Sequence, residues 1–244
     1  MSLPKPYWQS KDGRHIVYCA SCLDILPYIT ADACVTDIPY GEVNRESGGL
    51  RNLDKGNADT TSFAIEDFVK ATIHFPTVYV WCGTEQVSPL RAGYVAAGMS
   101  TRLCIWEKTN PSVMNGQHLW LSSIECCVFA RSSGAWFSVR CGSPVWRMPT
   151  QPSPLHPTQK PVALISKNVT ASCPPNGIVV DGCMGSGTTG IACIKTGRRF
   201  IGVEIEEKYC KIAVDRMEPE LDQPFLPMTI EEVPAMKEQK LSLE

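Results

Sequence analysis

The chain has 244 residues, of which 43% are hydrophobic and 20% are charged, and its formal net charge is −2. This composition is typical of a globular protein with one sizeable core, and it excludes a transmembrane helix because no apolar run reaches about 18 residues. The N-terminus lacks the charged and apolar regions of a signal peptide. We therefore expect a cytoplasmic protein whose twelve cysteines are reduced core residues. The pair Cys19-x-x-Cys22 has no second pair at matching spacing, so no metal site is predicted.

Short apolar runs alternate with helix-length amphipathic segments, a pattern typical of a parallel sheet covered by helices. The predicted strands are residues 15–18, 33–36, 77–81, 101–106, 124–130, 177–181 and 199–204. The predicted helices are residues 62–75, 161–171, 187–195 and 206–217. Ser62 is a candidate N-cap for the first helix. The predicted fold class is therefore α/β.

Three segments do not fit regular elements. Residues 42–60 are polar and contain glycine, which predicts a mobile loop, and residues 132–156 mix Gly, Pro, Trp and Arg, which predicts an irregular insert. Residues 221–244 are rich in Pro and Glu and are predicted to be a loosely held tail.

Charge is distributed unevenly along the chain. Residues 126–180 hold five bases and no acid, whereas residues 204–244 hold eleven acids and five bases, a net −6. A basic face with an acidic tail is compatible with DNA binding, because phosphate contacts need local positive charge rather than a basic total.

A glycine-rich turn follows the predicted strand that ends at Asp181. Its glycines are Gly182, Gly185 and Gly187, and a predicted helix comes next. A strand, a glycine turn and a helix place free backbone N–H groups at a helix N-terminus, where they can meet a polar ligand. The order of the glycines differs from the dinucleotide fingerprint, and no Gly-Lys-Ser/Thr of a phosphate-binding loop follows.

Glu204 ends the next predicted strand, 23 residues after Asp181. An acid at this place can accept hydrogen bonds from two ribose hydroxyls. A ribose ligand without a pyrophosphate points to S-adenosylmethionine rather than NAD. The alternative for Glu204 is an ordinary surface acid at a strand end.

The tetrapeptide Asp37-Ile38-Pro39-Tyr40 follows another predicted strand. An exocyclic amino group of a nucleobase is a poor nucleophile, because its lone pair is delocalised into the ring. A carboxylate and a neighbouring backbone C=O can each accept one of its N–H bonds and make the nitrogen more nucleophilic. Tyr40 is suited to stack on a base taken out of the duplex.

Together these motifs resemble the amino-group DNA methyltransferases of the permuted (beta) class, in which the catalytic tetrapeptide precedes the donor-binding half. The resemblance covers residues 14–217. Residues 37–40 resemble the family's Asp-Pro-Pro-Tyr, residues 156–161 its His-Pro-Thr-x-Lys-Pro, and residues 181–189 its Asp-Pro-Phe-x-Gly-Ser-Gly-Thr-Thr. Residues 200–213 resemble its ribose-binding strand and helix, and residues 103–108 and 124–129 are weaker matches.

The resemblance implies a Rossmann-like methyltransferase fold, a mostly parallel sheet flanked by helices, in one domain over residues 1–217. Its catalytic half would be residues 14–130, its short target-recognition insert 131–155 and its donor-binding half 156–217, with an acidic tail over 218–244. The implied activity is site-specific transfer of a methyl group from S-adenosylmethionine to a flipped base in double-stranded DNA, as in restriction-modification systems. Asp37 is similar to adenine-N6 members, whereas Ser at that position would indicate cytosine N4.

The resemblance also assigns roles to individual residues. Asp37 and Pro39 orient the target amine, and Tyr40 stacks on the base. The cofactor-binding residues are Asp181, Gly185, Ser186, Gly187, Thr188, Glu204, Thr158 and Lys160, although Lys160 is also suited to a DNA phosphate. The DNA-binding residues are Arg140, Arg147, Trp136 and Trp146, with core packing as the alternative for the two tryptophans.

Several positions depart from the family pattern. Ile38 replaces the first Pro of the tetrapeptide, Gly182-Cys183 replaces Pro-Phe, and Ala20-Ser21 stands where many members have Gly-Asp. These departures leave open a catalytically weak DNA-binding protein. Methylation of cytosine N4 or of RNA also stays open, and a homodimer is compatible with the sequence.

Overall fold

The computed structural model describes residues 3–40, 63–111, 123–139, 142–150 and 159–222. The strands in these ranges are β1 (Trp8–Gln9), β2 (His15–Cys19), β3 (Ala33–Asp37), β4 (Thr77–Cys82), β5 (Ser100–Lys108), β6 (Ile124–Arg131), β7 (Val145–Met148), β8 (Ile178–Asp181) and β9 (Arg199–Glu204). The helices are α1 (Cys22–Ile25), α2 (Ile65–Thr72), α3 (Val87–Ala96), α4 (Val162–Ser172), α5 (Thr188–Lys195) and α6 (Glu207–Leu221).

All these strands form one sheet in the order β1-β2-β9-β8-β3-β4-β6-β5-β7. The run from β2 to β4 is parallel throughout. β6 is antiparallel to both β4 and β5, β7 is parallel to β5, and β1 is antiparallel to β2. This sheet confirms the predicted α/β class, and each of the seven predicted strands has a counterpart in it.

Helices cover both faces of the sheet. Successive strand residues point to opposite faces, so Val80 packs in one core with Phe68 of α2 and Leu90 of α3. Its neighbour Trp81 packs in the other core with Leu164 of α4 and side chains of α5 and α6. Burial on both faces explains why the central strands are continuous apolar runs rather than alternating ones.

The centre of the sheet is a topological switch point. β3 and β8 are neighbours, but β3 leads through α2 to β4 on one side, whereas β8 leads through α5 to β9 on the other. The two loops therefore diverge and leave a crevice outside the carboxyl ends of the strands, where open α/β sheets bind ligands. The backbone N–H of Cys183 donates to Thr36 Oγ1 at 3.1 Å and ties the two loops together.

The structure corrects three sequence predictions. Helix α2 is shorter than the predicted 62–75, and its N-cap is Ala64, which makes no side-chain capping bond; Ser62 lies outside the described residues. Helix α3 was not predicted, and strand β7 lies inside the segment that was predicted to be irregular. The predicted loop at 42–60 and residues 223–244 of the predicted tail lie outside the described residues.

The described cysteines are unpaired thiols, and they are buried except for the exposed Cys19 and the half-buried Cys183. This confirms the prediction that the cysteines belong mostly to the core. No helix in the described ranges combines the length and apolar character needed to cross a membrane.

Candidate active site

The tetrapeptide leaves the sheet at the switch point. Asp37 is the last residue of β3 and is paired with Trp81 of β4, and the Ile38 N–H extends the pairing by donating to the Trp81 carbonyl at 3.1 Å. Pro39 has no N–H, so the chain turns away there. The Ile38 side chain is buried in the core. It therefore does not enter the crevice, although it stands where the family has proline.

Lys160 and Tyr40 hold the Asp37 carboxylate. Lys160 Nζ donates to Asp37 Oδ2 at 2.6 Å, and the Tyr40 hydroxyl donates to Oδ1 at 2.9 Å. Lys160 Nζ also donates to the Tyr40 hydroxyl at 3.0 Å and lies 5.3 Å from the centroid of the Trp81 ring. Each carboxylate oxygen can accept two hydrogen bonds, so these contacts do not exhaust the acceptor capacity of Asp37.

A second carboxylate, Glu125 of β6, completes this network. Its Oε2 lies 3.0 Å from Lys160 Nζ, and its Oε1 lies 2.6 Å from Lys108 Nζ. Lys160 has 4% of its side chain exposed, Glu125 17% and Asp37 29%. The network therefore places two ammonium and two carboxylate groups together, and their formal charges cancel.

The pKa values follow from burial and from these pairings. Burial raises the pKa of Asp37 above its usual value despite the opposing charge of Lys160, and the charge of Glu125 adds to the rise. Burial opposes the charged form of Lys160, but Asp37, Tyr40 and Glu125 together raise its pKa well above the usual value. Burial would also raise the pKa of Glu125, but Lys160 and Lys108 outweigh it and hold that pKa below its usual range. Lys160 and Glu125 are therefore both charged at neutral pH.

The glycine turn leads from β8 into α5 on the other side of the crevice. Gly187 is the N-cap of α5 with φ +79°, and Gly185 has φ +48°. A residue with a Cβ adopts this left-handed backbone only at a cost. Arg216 of α6 donates to Ser186 Oγ at 2.8 Å and also to the Ser186 carbonyl, which fixes the middle of the turn. Thr188 begins α5 and is buried.

Asp181 lies beneath this turn rather than in the open crevice. Its side chain is buried, and its Oδ1 accepts the Cys183 N–H at 3.1 Å. Burial raises the pKa of Asp181 to about 7, although hydrogen bonds from Thr189 and Thr36 lower it. Asp181 thus joins β8, the turn and α5.

Glu204 lies at the end of β9, beside the turn. Its Oε2 accepts the Gly185 N–H at 3.0 Å, and its Oε1 accepts the Glu206 N–H at 3.0 Å. The residue is only 7% exposed, and burial raises its pKa. The alternative of an ordinary surface acid is therefore wrong. The Ile205 N–H is a third backbone partner of this carboxylate, which leaves acceptor capacity for one further hydroxyl group.

The predicted DNA-contact residues differ in how exposed their side chains are. Arg147 on β7 is exposed, and its Nε donates to Glu107 Oε2 on β5 at 2.8 Å. Trp136 is also exposed. Trp146 packs on Trp81, with ring centroids 5.8 Å apart, so its core-packing alternative describes it better. Arg140 and Thr158 lie outside the described residues.

Two polar residues at the crevice were not among the predicted site residues. Glu125 contacts Lys160, as described above, and Gln86 donates from Nε2 to the Pro39 carbonyl at 2.8 Å. Gln86 follows the carboxyl end of β4, and this position at the active edge was the signal that could have indicated it. Glu125 lies near the start of β6, in a segment that indicated a strand and a weaker family match but no role for this residue. The assignment of Lys160 to the donor carboxylate stays a prediction, because its described contacts are to the tetrapeptide and Glu125.

Comparison with known proteins gives results that match this geometry. The sequence model of the DNA methylase family (N6_N4_Mtase) matches residues 103–215. The Type II methyltransferase M2.LlaDCHI of Lactococcus lactis subsp. cremoris is 27% identical over 250 residues, which cover 88% of this chain and 93% of that protein. The DNA adenine methyltransferase YhdJ of Escherichia coli (strain K12) is 48% identical over 63 residues, 26% of this chain and 21% of that protein.

A solved structure extends the similarity to the fold. The crystal structure of the M1.HpyAVI–SAM complex superposes with a TM-score of 0.65 at 25% identity, covering 83% of this chain and 99% of that one. The tetrapeptide, the glycine turn and the buried acid thus occur together in a chain that matches such proteins over most of its length. These matches make the chain similar to the amino-group DNA methyltransferases that act on adenine N6 or cytosine N4.

Proposed function

We propose that the protein transfers a methyl group from S-adenosylmethionine to adenine N6 in double-stranded DNA, acting on a base that has left the duplex. The observation that carries this proposal is the position of the Asp37 carboxylate and the Pro39 carbonyl at the switch point, beside the glycine turn and Glu204. Asp at the head of the tetrapeptide and the identity with a relative named as a DNA adenine methyltransferase support adenine as the target.

The residues on the β8–β9 side fit the methyl donor. Glu204 has a buried carboxylate that keeps acceptor capacity beside its three backbone partners, which suits a ribose hydroxyl. The turn at Gly185, Ser186 and Gly187 opens onto the N-terminus of α5, which favours a carboxylate such as that of the methionine portion. S-adenosylmethionine, when bound, supplies a methyl group on a positively charged sulfur.

The residues on the β3 side fit the target amine. An amino group has two N–H bonds, and Asp37 and the Pro39 carbonyl offer one acceptor for each. Accepting both bonds frees the nitrogen lone pair from the ring and directs it towards the donor. The nitrogen must lose a proton as it gains the methyl group, and Asp37, whose pKa is raised by burial, is placed to accept that proton.

Lys160 and Tyr40 prepare Asp37 for this role. The Lys160 ammonium favours the ionised carboxylate, which is the form that accepts the N–H of the amine. The Tyr40 hydroxyl donates to the Asp37 carboxylate. We propose that this contact is exchanged for the amine when a base enters and that the half-buried tyrosine ring then stacks on the base.

Contacts with the duplex are proposed for the edge of the sheet at β7. Arg147 is exposed on β7, where its cation is suited to a phosphate. Trp136 is exposed too, but it follows the end of β6 that pairs with the start of β4. It therefore lies at the opposite end of the sheet from Asp37 and is not proposed for this surface. Arg140 stays a predicted DNA contact from the sequence alone. The homodimer and the cytoplasmic location stay predictions.

The test is transfer of isotope-labelled methyl groups from S-adenosylmethionine to unmethylated duplex DNA of diverse sequence, followed by mass spectrometry of the nucleosides. N6-methyladenine is the expected product. N4-methylcytosine would instead select the cytosine alternative, since the amine chemistry is the same. The absence of any methylated base, with donor binding intact, would overturn the proposal in favour of an RNA substrate or a silenced DNA-binding protein.

A further inference from the structure

Gln86 is a buried polar residue beside the catalytic tetrapeptide. It ends the short 3₁₀ turn Thr84–Gln86, which follows β4, and it is 8% exposed. Its Nε2 donates to the Pro39 carbonyl oxygen at 2.8 Å. This is the carbonyl that the proposed function assigns to the target amine.

The orientation of the Gln86 amide is fixed by its other end. The backbone N–H of Gly83 donates to Gln86 Oε1 at 2.9 Å, and the Gln86 N–H donates back to the Gly83 carbonyl at 3.0 Å. A flipped amide would place its NH₂ group against the Gly83 N–H and its oxygen against the Pro39 carbonyl, so both hydrogen bonds would be lost. The NH₂ group must therefore face Pro39.

The Pro39 carbonyl needs such a partner because of its place in the chain. Pro39 follows the last pairing between β3 and β4, where the chain turns out of the sheet. A backbone carbonyl has two lone pairs, so it can accept a hydrogen bond from Gln86 and another from a substrate. The bond from Gln86 limits the directions in which this carbonyl points.

We propose that Gln86 is a positioning residue for methyl transfer, which aims the Pro39 carbonyl at the second N–H of the target amine. The inference rests on the proposed function. It gives each acceptor of the amine its own support, since Lys160 holds Asp37 and Gln86 holds Pro39.

The first test is Gln86→Leu, which keeps a similar volume but has no donor. With saturating S-adenosylmethionine and unmethylated duplex DNA, kcat is expected to fall about 10- to 100-fold, because a small misplacement of a group that orients the substrate has effects of this size. The affinity for S-adenosylmethionine should stay within about twofold. Glu85→Gln is the matched control, because Glu85 belongs to the same turn and is exposed.

The second test, Gln86→Glu, separates positioning from folding through pH. A neutral carboxylic acid has one O–H donor and one C=O acceptor, so it can replace the amide, whereas the ionised form has no donor and faces the Pro39 carbonyl with a negative charge. The ratio of the Gln86→Glu rate to the parent rate should therefore rise as the pH falls. Residue 86 has four charged or titratable groups near it. Glu85 lies on the same turn, Asp37 and Tyr40 flank the Pro39 carbonyl in the tetrapeptide, and Lys160 bonds to both of them. They are present in the parent as well, so the ratio removes their shared titration.

The outcomes separate the two proposals. Gln86→Leu with a kcat within twofold of the parent, or a Gln86→Glu ratio that does not change with pH, would overturn the role of Gln86 while leaving the methyltransferase function intact. A loss of rate that follows a loss of folded protein at each pH would overturn it as well. A parent protein that methylates no DNA would overturn the proposed function and this inference with it. If Gln86→Leu does not fold, the pH ratio of Gln86→Glu decides alone.

Discussion

Lys160 carries its charge in a part of the protein where only 4% of its side chain is exposed. An isolated ammonium there would lose its hydration and tend to become neutral. The structure avoids this by placing Asp37 and Glu125 within 2.6 and 3.0 Å of its Nζ. Glu125 in turn is paired with Lys108, so the charge state of the Asp37 carboxylate depends on a residue on the far side of β4.

Glu125→Gln is expected to destabilise the protein, because it leaves Lys160 and Lys108 with less negative charge in a buried place. The free energy of unfolding in urea should fall by about 2 kcal/mol. The matched control is Glu107→Gln on the neighbouring strand, whose partner Arg147 is 74% exposed, and its effect should stay below about 0.5 kcal/mol. Equal effects of the two substitutions would contradict the importance of the buried network.

At the scale of the elements, seven of the nine described strands were predictable because their apolar runs are short and bounded by turns. Helix α3 was missed because Pro89 and Gly93 lower its intrinsic helix propensity. The structure explains both residues: Pro89 lies in the first turn of the helix, where its missing N–H is not needed. A Cβ at Gly93 would lie 2.9 Å from Val69 Cγ1, so the glycine permits close packing of α2 and α3.

Strand β7 was missed for a different reason. It has four residues, and its neighbours Pro144 and Pro149 suggest loops. It is also an edge strand whose pairing with β5 depends on residues 40 positions away.

Contacts between residues distant in sequence also limited the prediction of the site. The tetrapeptide, the glycine turn and Glu204 are local patterns, whereas the contacts of Gln86 with Pro39 and of Glu125 with Lys160 join residues distant in sequence.

Gly187→Ala is expected to destabilise the junction between α5 and α6. Its φ of +79° disfavours any Cβ, and an added Cβ would lie 2.8 Å from Ala213 Cβ and 3.1 Å from Ala213 Cα. Together the two effects should lower the free energy of unfolding by about 3 kcal/mol. Gly134→Ala is the control with the same φ and no atom within 4 Å, and it should cost only about 1 kcal/mol. Urea denaturation measures both, and a similar cost for the two would contradict close packing at Gly187.

At the scale of the whole molecule, the sheet divides the proposed chemistry between its two sides. Strands β3 and β4 hold the groups proposed for the target base, and β8 and β9 hold those proposed for the methyl donor. The hydrogen bond from Cys183 to Thr36 and the burial of Asp181 link the two sides at the switch point. Methyl transfer needs both substrates in one crevice. Because β3 and β8 are neighbours in the sheet, the groups proposed for the two substrates meet at the same crevice.

The most direct test of the account is the single-turnover rate of methyl transfer by Asp37→Asn, with S-adenosylmethionine bound to the enzyme before duplex DNA is added. The amide has almost the same shape as the carboxylate but lacks its charge, so donor binding should stay within about twofold. The rate should fall by a factor on the order of 100 or more, as for the loss of one preorganised group that acts on the transition state. A rate close to that of the parent protein would contradict the assignment of Asp37 to the target amine.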